Sequence, residues 1–204
     1  MIAIIDYRAG NLKSVERALK HLGLACQITD SASEILAAER VIFPGVGAAG
    51  LAMETIRAHG LDEAIHAVIQ RGTPFLGICL GTQIILETSE EDGGTGCLGV
   101  IPGTVRRFPE TGLKIPHMGW NSLSPRIDHP LLAGVDPRAQ FYFVHSYYPD
   151  PREADAVAAT TTYGITFASA LTARNVFATQ FHPEKSGAPG LKILENFSRW
   201  DGKG

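Results

Sequence analysis

The chain has no surplus of charge of either sign: 18 Lys and Arg stand against 21 Asp and Glu over 204 residues, a net −3. A dense basic surface for nucleic acid or for an anionic membrane is thereby excluded as the organising feature. Charge is scarce altogether, at 19% against roughly 25% in ordinary globular chains. Cysteine is scarce too. Cys26, Cys79 and Cys97 are odd in number and form no CxxC pair, which excludes a disulfide scaffold and a zinc finger. No apolar run approaches the ~18 residues of a membrane span. The opening MIAIIDYR has no basic lead, so no signal peptide is expected. The histidines show neither HxH nor HExxH spacing, and no metal or cofactor is expected. These absences together predict a cytoplasmic protein with reduced thiols that binds neither nucleic acid nor membrane.

What the chain does have is glycine, 22 residues where about 7% is usual, and a regular alternation of short apolar runs with helix-period segments. Ile2–Ile5 reads as a buried strand. Asn11 is placed to cap a helix carrying Leu12, Val15, Leu19 and Leu22, stopped by Gly23. Ala25–Thr29, Val41–Phe43 and Phe75–Ile78 read as further strands. Leu61, Ala64, Ile65, Val68 and Ile69 form a helical stripe, and a helix is predicted from Leu80 to Thr88. Strand–helix alternation of this kind builds a mostly parallel central sheet with helices on both faces, an α/β three-layer sandwich. After about Gly93 the pattern changes to Pro- and Gly-punctuated β segments: Val100–Phe108, Phe141–Val144, Ala156–Thr161, Thr166–Ala170 and Val176–Phe181. These predict extra antiparallel β structure in the second half, closed by a helix over Gly190–Trp200. At roughly 100–200 residues per domain the chain is expected to form one domain, residues 1–204.

Ligands of open parallel sheets sit beyond the carboxyl ends of the strands, and three loops fall there. In Thr73-Pro-Phe-Leu-Gly-Ile-Cys79-Leu-Gly-Thr-Gln83, Cys79 stands at a strand-to-helix junction with Gly77 and Gly81 two residues to either side. That is the layout of a nucleophile elbow with Cys in place of Ser. The following helix N-terminus favours thiolate over thiol. The bland reading, a buried structural Cys, fits Cys26 and Cys97, which lack this setting. Gly45-Val-Gly47-Ala-Ala-Gly50 matches GxGxxG, but the dinucleotide fingerprint needs an acid at the end of the next strand, and that strand ends at Cys79. Its backbone is better suited to offering N–H groups to an oxyanion. Thr179-Gln-Phe-His182-Pro-Glu184-Lys185 closes a late strand. Pro183 holds His182 extended, and residues two apart on extended chain point the same way. Glu184 is therefore predicted to orient the His182 ring, the base-plus-carboxylate arrangement that a Cys nucleophile requires. His117, His145 and His182 all lie beside apolar β segments. Only the neighbouring Pro and Glu favour His182 as base, and the residues alone leave the choice open.

The three loops together, Pro-Gly-Val-Gly, then Gly-Ile-Cys-Leu-Gly-Thr-Gln, then His-Pro-Glu with His182 103 residues after Cys79, resemble the class I, or triad, glutamine amidotransferases. Within that class the whole chain is similar to the glutaminase subunits of imidazole glycerol phosphate synthase. The segments that carry this narrower resemblance are Asp6-Tyr7 with Gly10-Asn11-Leu12, Ile115-Pro-His-Met-Gly-Trp-Asn121, Phe143-Val-His-Ser-Tyr147 and Glu184-Lys185-Ser186. The resemblance implies that Cys79 attacks the side-chain amide of L-glutamine to form a thioester, that His182 moves protons and that Glu184 holds its ring. It implies an oxyanion site from the backbone of Leu80 and of Pro44–Gly47, including Gly45, Val46 and Gly47. Glutamine contacts are implied for Gln83, Gly47 and the backbone around Ser146 and Tyr147. It implies a heterodimer, with Trp120, Tyr142 and Lys185 facing a (β/α)8-barrel cyclase subunit. That partner would combine the ammonia with a bis-phosphorylated ribulosyl precursor to give imidazole glycerol phosphate and aminoimidazole carboxamide ribotide, a hydrolase and lyase step of histidine biosynthesis. Core packing is the plainer reading of Trp120 and Tyr142, and a solvated tail that of Lys185. Three positions depart from the family pattern: Arg8 where a small residue is expected, Thr82 for Met, and Ala49 for an aromatic. The alternatives are the amidotransferase subunit of another pathway, such as anthranilate or pyridoxal phosphate synthesis, a dinucleotide-binding protein, or a catalytically silent regulatory subunit.

Overall fold

The computed structural model describes residues 1–8 and 11–203; Gly10 of the Gly10-Asn11-Leu12 stretch and the last residue, 204, lie outside them. The first half runs β1 (Ile2–Ile5), α1 (Leu12–His21), β2 (Cys26–Thr29), α2 (Ala32–Ala37), β3 (Arg40–Gly45), α3 (Ala49–Ala58), α4 (Leu61–Gln70), β4 (Phe75–Cys79) and α5 (Leu80–Ile84). The second half adds β5 (Thr88–Ser89), β6 (Thr95–Gly96), β7 (Gly103–Arg107), β8 (His117–Ser122), β9 (Ser124–Pro125), β10 (Gln140–His145), β11 (Tyr147–Pro151), β12 (Val157–Tyr163), β13 (Ile165–Ala173), β14 (Val176–Thr179) and α6 (Gly187–Arg199).

The main sheet has the order β2-β1-β3-β4-β14-β13-β12-β9. Its first five strands are parallel, and β13, β12 and β9 join antiparallel. Period-2 alternation splits each buried strand between two cores. Ala3, Ile5, Val41, Phe43 and Phe75 pack with Ile35, Met53, Ile56, Ile65 and Val68 of α2, α3 and α4. Ile2, Ile4, Ile42, Leu76 and Ile78 pack on the other face with Val15 and Leu19 of α1 and Ile193 and Phe197 of α6. The expected three layers are therefore present. Two smaller sheets, β8–β10 and β11-β7-β5-β6, add further antiparallel pairs, with β5 and β7 alone running parallel within them.

Several local expectations are corrected. The helix predicted over Leu80–Thr88 stops at Ile84. The carbonyls of Ile84, Ile85, Leu86 and Glu87, which would carry it onward, accept from the N–H groups of residues 97–101 instead. Strand β3 runs on through Pro44 to Gly45. Its ladder with β1 ends at Ile42, so the donor that proline lacks is not required on that side. Helices α2 and α3 and strands β8 and β11 were not predicted; α3 carries Ala52, Met53 and Ile56 at helical spacing, a stripe too weak to stand out. Asn11 caps nothing with its side chain and sits at φ 79°; its amide is drawn elsewhere.

Candidate active site

Because β1, β3, β4 and β14 are parallel, their carboxyl ends reach one edge of the sheet. Cys79 is the last residue of β4 and the residue before α5. Its backbone stands at φ 54°, ψ −105°, a conformation that side-chain-bearing residues avoid and that persists only where the surroundings over-determine it. The sequence allows this because a Cβ at Gly81 would overlap the Phe43 carbonyl, so α5 approaches β3 only with glycine there. Cys79 is buried but opens on a cavity of about 360 Å³ lined by Val46, Gly47, Leu80, Gln83, Ser146 and Tyr147 among others. Gly45 is not in that lining. A side chain there would meet the Tyr7 hydroxyl and Leu80 Cβ, so its role is to let those groups close in.

Packing sets the three histidines apart. His182 Nδ1–H donates to Glu184 Oε1 at 2.8 Å, with both side chains out of solvent. The alignment does not come from extended chain as expected. Pro183–Lys185 is a 3-10 turn, suited to the fixed φ of proline at its first position, and the turn folds the carboxylate back on the ring. The Ser186 hydroxyl donates to the His182 carbonyl at 2.6 Å and the His182 N–H to the Tyr142 carbonyl at 3.0 Å. Asn11 Nδ2 donates to the same Glu184 oxygen at 2.7 Å. Burial works against an imidazolium at His182, but the charge of Cys79 and the bond to Glu184 outweigh it and raise the group to about 10. Its Nε2 has no hydrogen-bond partner among the described residues and remains free for a proton. His117 and His145 are pressed by burial down to about 4 and about 3, and among the described residues neither ring is hydrogen-bonded to a carboxylate.

The backbone N–H groups expected to form an oxyanion site are only partly free. The first N–H of a helix has no partner inside it, and Leu80 is that residue in α5. The Val46 N–H, by contrast, donates to the Tyr7 hydroxyl at 3.2 Å, which in turn bonds the Val46 carbonyl at 3.4 Å. Gln83 donates through Nε2 to the Tyr147 carbonyl at 2.9 Å and to Gln180 Oε1 at 3.0 Å, so only its oxygen is left for a ligand. Thr82 donates to the Thr179 carbonyl at 2.6 Å, tying α5 to β14. Ala49 gives its N–H to Glu91 at 2.7 Å.

Trp120 and Tyr142 are not core. They face each other in register across β8 and β10, edge to face at 6.0 Å, with Trp120 54% exposed. Lys185 Nζ lies 6.0 Å from the Tyr142 ring. Sequence reasoning missed Asn11 as a partner of Glu184, Gln180 at 3.8 Å from the Cys79 sulfur, and Glu91, the carboxylate in the cavity lining. For Glu91 the available signal was the acidic run Glu90-Glu91-Asp92 shortly after α5. Cys26 and Cys97 lie away from this site, and burial pushes the Cys97 thiol up to about 11.

At one edge of the sheet the fold thus gathers a strained cysteine, a carboxylate-held histidine and a glycine-framed cavity. Residues 3–199 match the class I glutamine amidotransferase family, and the chain belongs to it. The structure of PurLQS from Thermotoga maritima shares the fold, with a TM-score of 0.76 at 17% identity over 97% of both chains. Far greater likeness is found to imidazole glycerol phosphate synthase subunit HisH. That of Dehalococcoides mccartyi strain CBDB1 is 50% identical over 197 residues, 97% of this chain and 96% of its own. That of Pseudomonas putida is 50% identical over 209 residues, 99% and 98% of the two chains. Within the class the chain is thus a member of the HisH family, a glutamine amidotransferase subunit.

Proposed function

We propose that Cys79, His182 and Glu184 are the catalytic triad, acting as one glutaminase domain that supplies ammonia to a cyclase. The observation that carries this reading is the elbow itself. A cysteine held at φ 54° sits on the floor of a cavity beside a histidine whose other nitrogen is bonded to a buried carboxylate at 2.8 Å.

The Cys79 sulfur attacks the side-chain amide carbon of glutamine, and the carbonyl oxygen takes the charge. Leu80 N–H meets that oxygen, and the Val46 N–H joins it once it exchanges the Tyr7 hydroxyl for the oxyanion. As the C–N bond breaks, the His182 imidazolium gives its Nε2 proton to the leaving nitrogen, and ammonia departs. Water then attacks the thioester, His182 Nε2 takes its proton, and the C–S bond breaks to release glutamate and the thiolate. Glu91 is the acid in the cavity lining, suited to the α-ammonium of the substrate, while the Ser146–Tyr147 backbone and the Gln83 oxygen bound the other side.

Ammonia escaping into bulk water is lost by dilution and protonation, so the site works only when covered. The Trp120–Tyr142 pair beside Lys185, with Met118 62% exposed on the same ribbon, suits the mixed aromatic and basic character of a subunit contact. The partner read here is the (β/α)8-barrel cyclase, which would form imidazole glycerol phosphate and aminoimidazole carboxamide ribotide in the cytoplasm. The test is glutamate release from glutamine by the chain with and without that partner. Cys79→Ala is expected to abolish it in both; turnover that survives the substitution ends the assignment.

A further inference from the structure

We infer that Gln180 is a positioning residue for the nucleophile: its side-chain amide donates to the Cys79 sulfur, in a direction imposed by a relay of hydrogen bonds. The inference rests on the reading of Cys79 as nucleophile. Gln180 lies between β14 and His182 and is wholly buried. Its Nε2 is 3.8 Å from Cys79 Sγ, within reach for a large, soft acceptor.

Which end of the amide faces the sulfur is decided by its neighbours. The Tyr147 carbonyl can only accept, so the Gln83 atom at 2.9 Å from it must be the amide nitrogen. The second N–H of that nitrogen goes to Gln180, whose near atom must therefore be its oxygen, at 3.0 Å. The nitrogen of Gln180 is left toward Cys79. The Tyr147 carbonyl is itself pinned from the other side by His145 Nδ1–H at 2.7 Å. His145 Nε2 then accepts from His117 Nδ1–H at 3.0 Å, and His117 Nε2 faces Asn121 Nδ2 at 3.4 Å. Two runs of donors thus meet on the Tyr147 carbonyl, one from Asn121 through His117 and His145 and one from Gln83. It is the other N–H of Gln83 that sets Gln180 with its donor toward the sulfur.

A glutamine that only fills space has no use for this polarity. Reversed, its carbonyl oxygen would face a thiolate and repel it; as built, an N–H stabilises the anion and limits where the sulfur turns. A single weak donor to a charged acceptor is expected to change the thiolate fraction and the acylation rate by about threefold to tenfold.

The test is the pH profile of Cys79 alkylation by iodoacetamide, in which the S–C bond forms as iodide leaves, followed by mass spectrometry on the full-length chain. Gln180→Met, close in shape and without a donor, is expected to move the midpoint up by about half to one pH unit. It is also expected to lower kcat about threefold to tenfold, with KM for glutamine within twofold. An unshifted profile overturns the inference. If Gln180→Met does not fold, Gln83→Met decides: it leaves Gln180 in place but frees its orientation, so its midpoint must also rise, and an unshifted one is equally fatal. A wild-type Cys79 that resists alkylation at every pH, together with turnover in Cys79→Ala, refutes the nucleophile reading instead.

Discussion

Lowering the pH from 7 to 5 is expected to destabilise this protein by about 3 kcal/mol through three buried histidines. Burial presses His117 and His129 to about 4 and His145 to about 3, against 6.5 for the free group. Hydrogen bonding makes protonation worse. A proton on His145 Nε2 would face the His117 N–H, and one on His117 Nε2 would face the Asn121 amide. Below 6.5 the unfolded chain binds protons that the folded chain refuses, so stability falls as pH falls and the loss is complete only near 3, the value for His145. Each histidine contributes up to about 1.4 kcal/mol per pH unit. Three of them over the interval from 6.5 to 5 give an upper bound of about 6 kcal/mol, and water entering the loosened cluster relieves roughly half. That is a large share of the 5–15 kcal/mol of a typical domain.

Among the other groups only Glu91 works against this trend, since burial raises its carboxyl and the folded chain takes up that proton before the unfolded one does. His182 is raised, so its contribution is complete below 6.5 and is lost only as pH climbs toward 10. The lowered carboxylates Glu16, Glu39, Asp136 and Glu195 lose their ion pairs only below their usual range. The assay is the urea midpoint at pH 7, 6 and 5, read from tryptophan fluorescence, with Trp200 as a buried reporter. A His145→Gln variant is expected to lose about a third of the slope. A midpoint that stays flat between pH 7 and 5, or a variant with the full slope, refutes the argument.

Two further outcomes follow from the site. Asn11→Ala removes a donor from Glu184 at 2.7 Å and is expected to lower kcat about tenfold, the worth of one hydrogen bond to a charged group, with KM for glutamine within twofold in steady-state glutaminase assays. Glu91→Gln removes the acid from the cavity lining and is expected to raise that KM about tenfold while kcat stays within twofold; an unchanged KM places the substrate ammonium elsewhere.

Features set by neighbours in sequence were the ones that could be read directly. The elbow follows from Gly77, Cys79 and Gly81, because a strand must turn into a helix within two residues and only glycine lets the backbones close. The α4 stripe follows from five apolar residues at helical spacing, all of them buried. The parallel order of the first strands follows from their alternation with helices. The length of α5 could not be read, because its carbonyls are taken by residues 97–101.

The contrast among the histidines was only half legible in the sequence. Pro183 and Glu184 set His182 apart along the chain, but that His117 and His145 are bonded to each other is decided by folding. Asn11 looked like a cap because capping is a local habit of asparagine; its true partner is 173 positions away. Gln180 sat in plain view between Thr179 and His182, yet its polarity is imposed by Gln83 and Tyr147 from other elements. Residue types and their spacing along the chain mark Cys79, His182 and Glu184 as candidates and show where the backbone must bend. The tertiary structure alone decided which way each group's protons point, because a proton's direction is set by partners that the chain order keeps far apart.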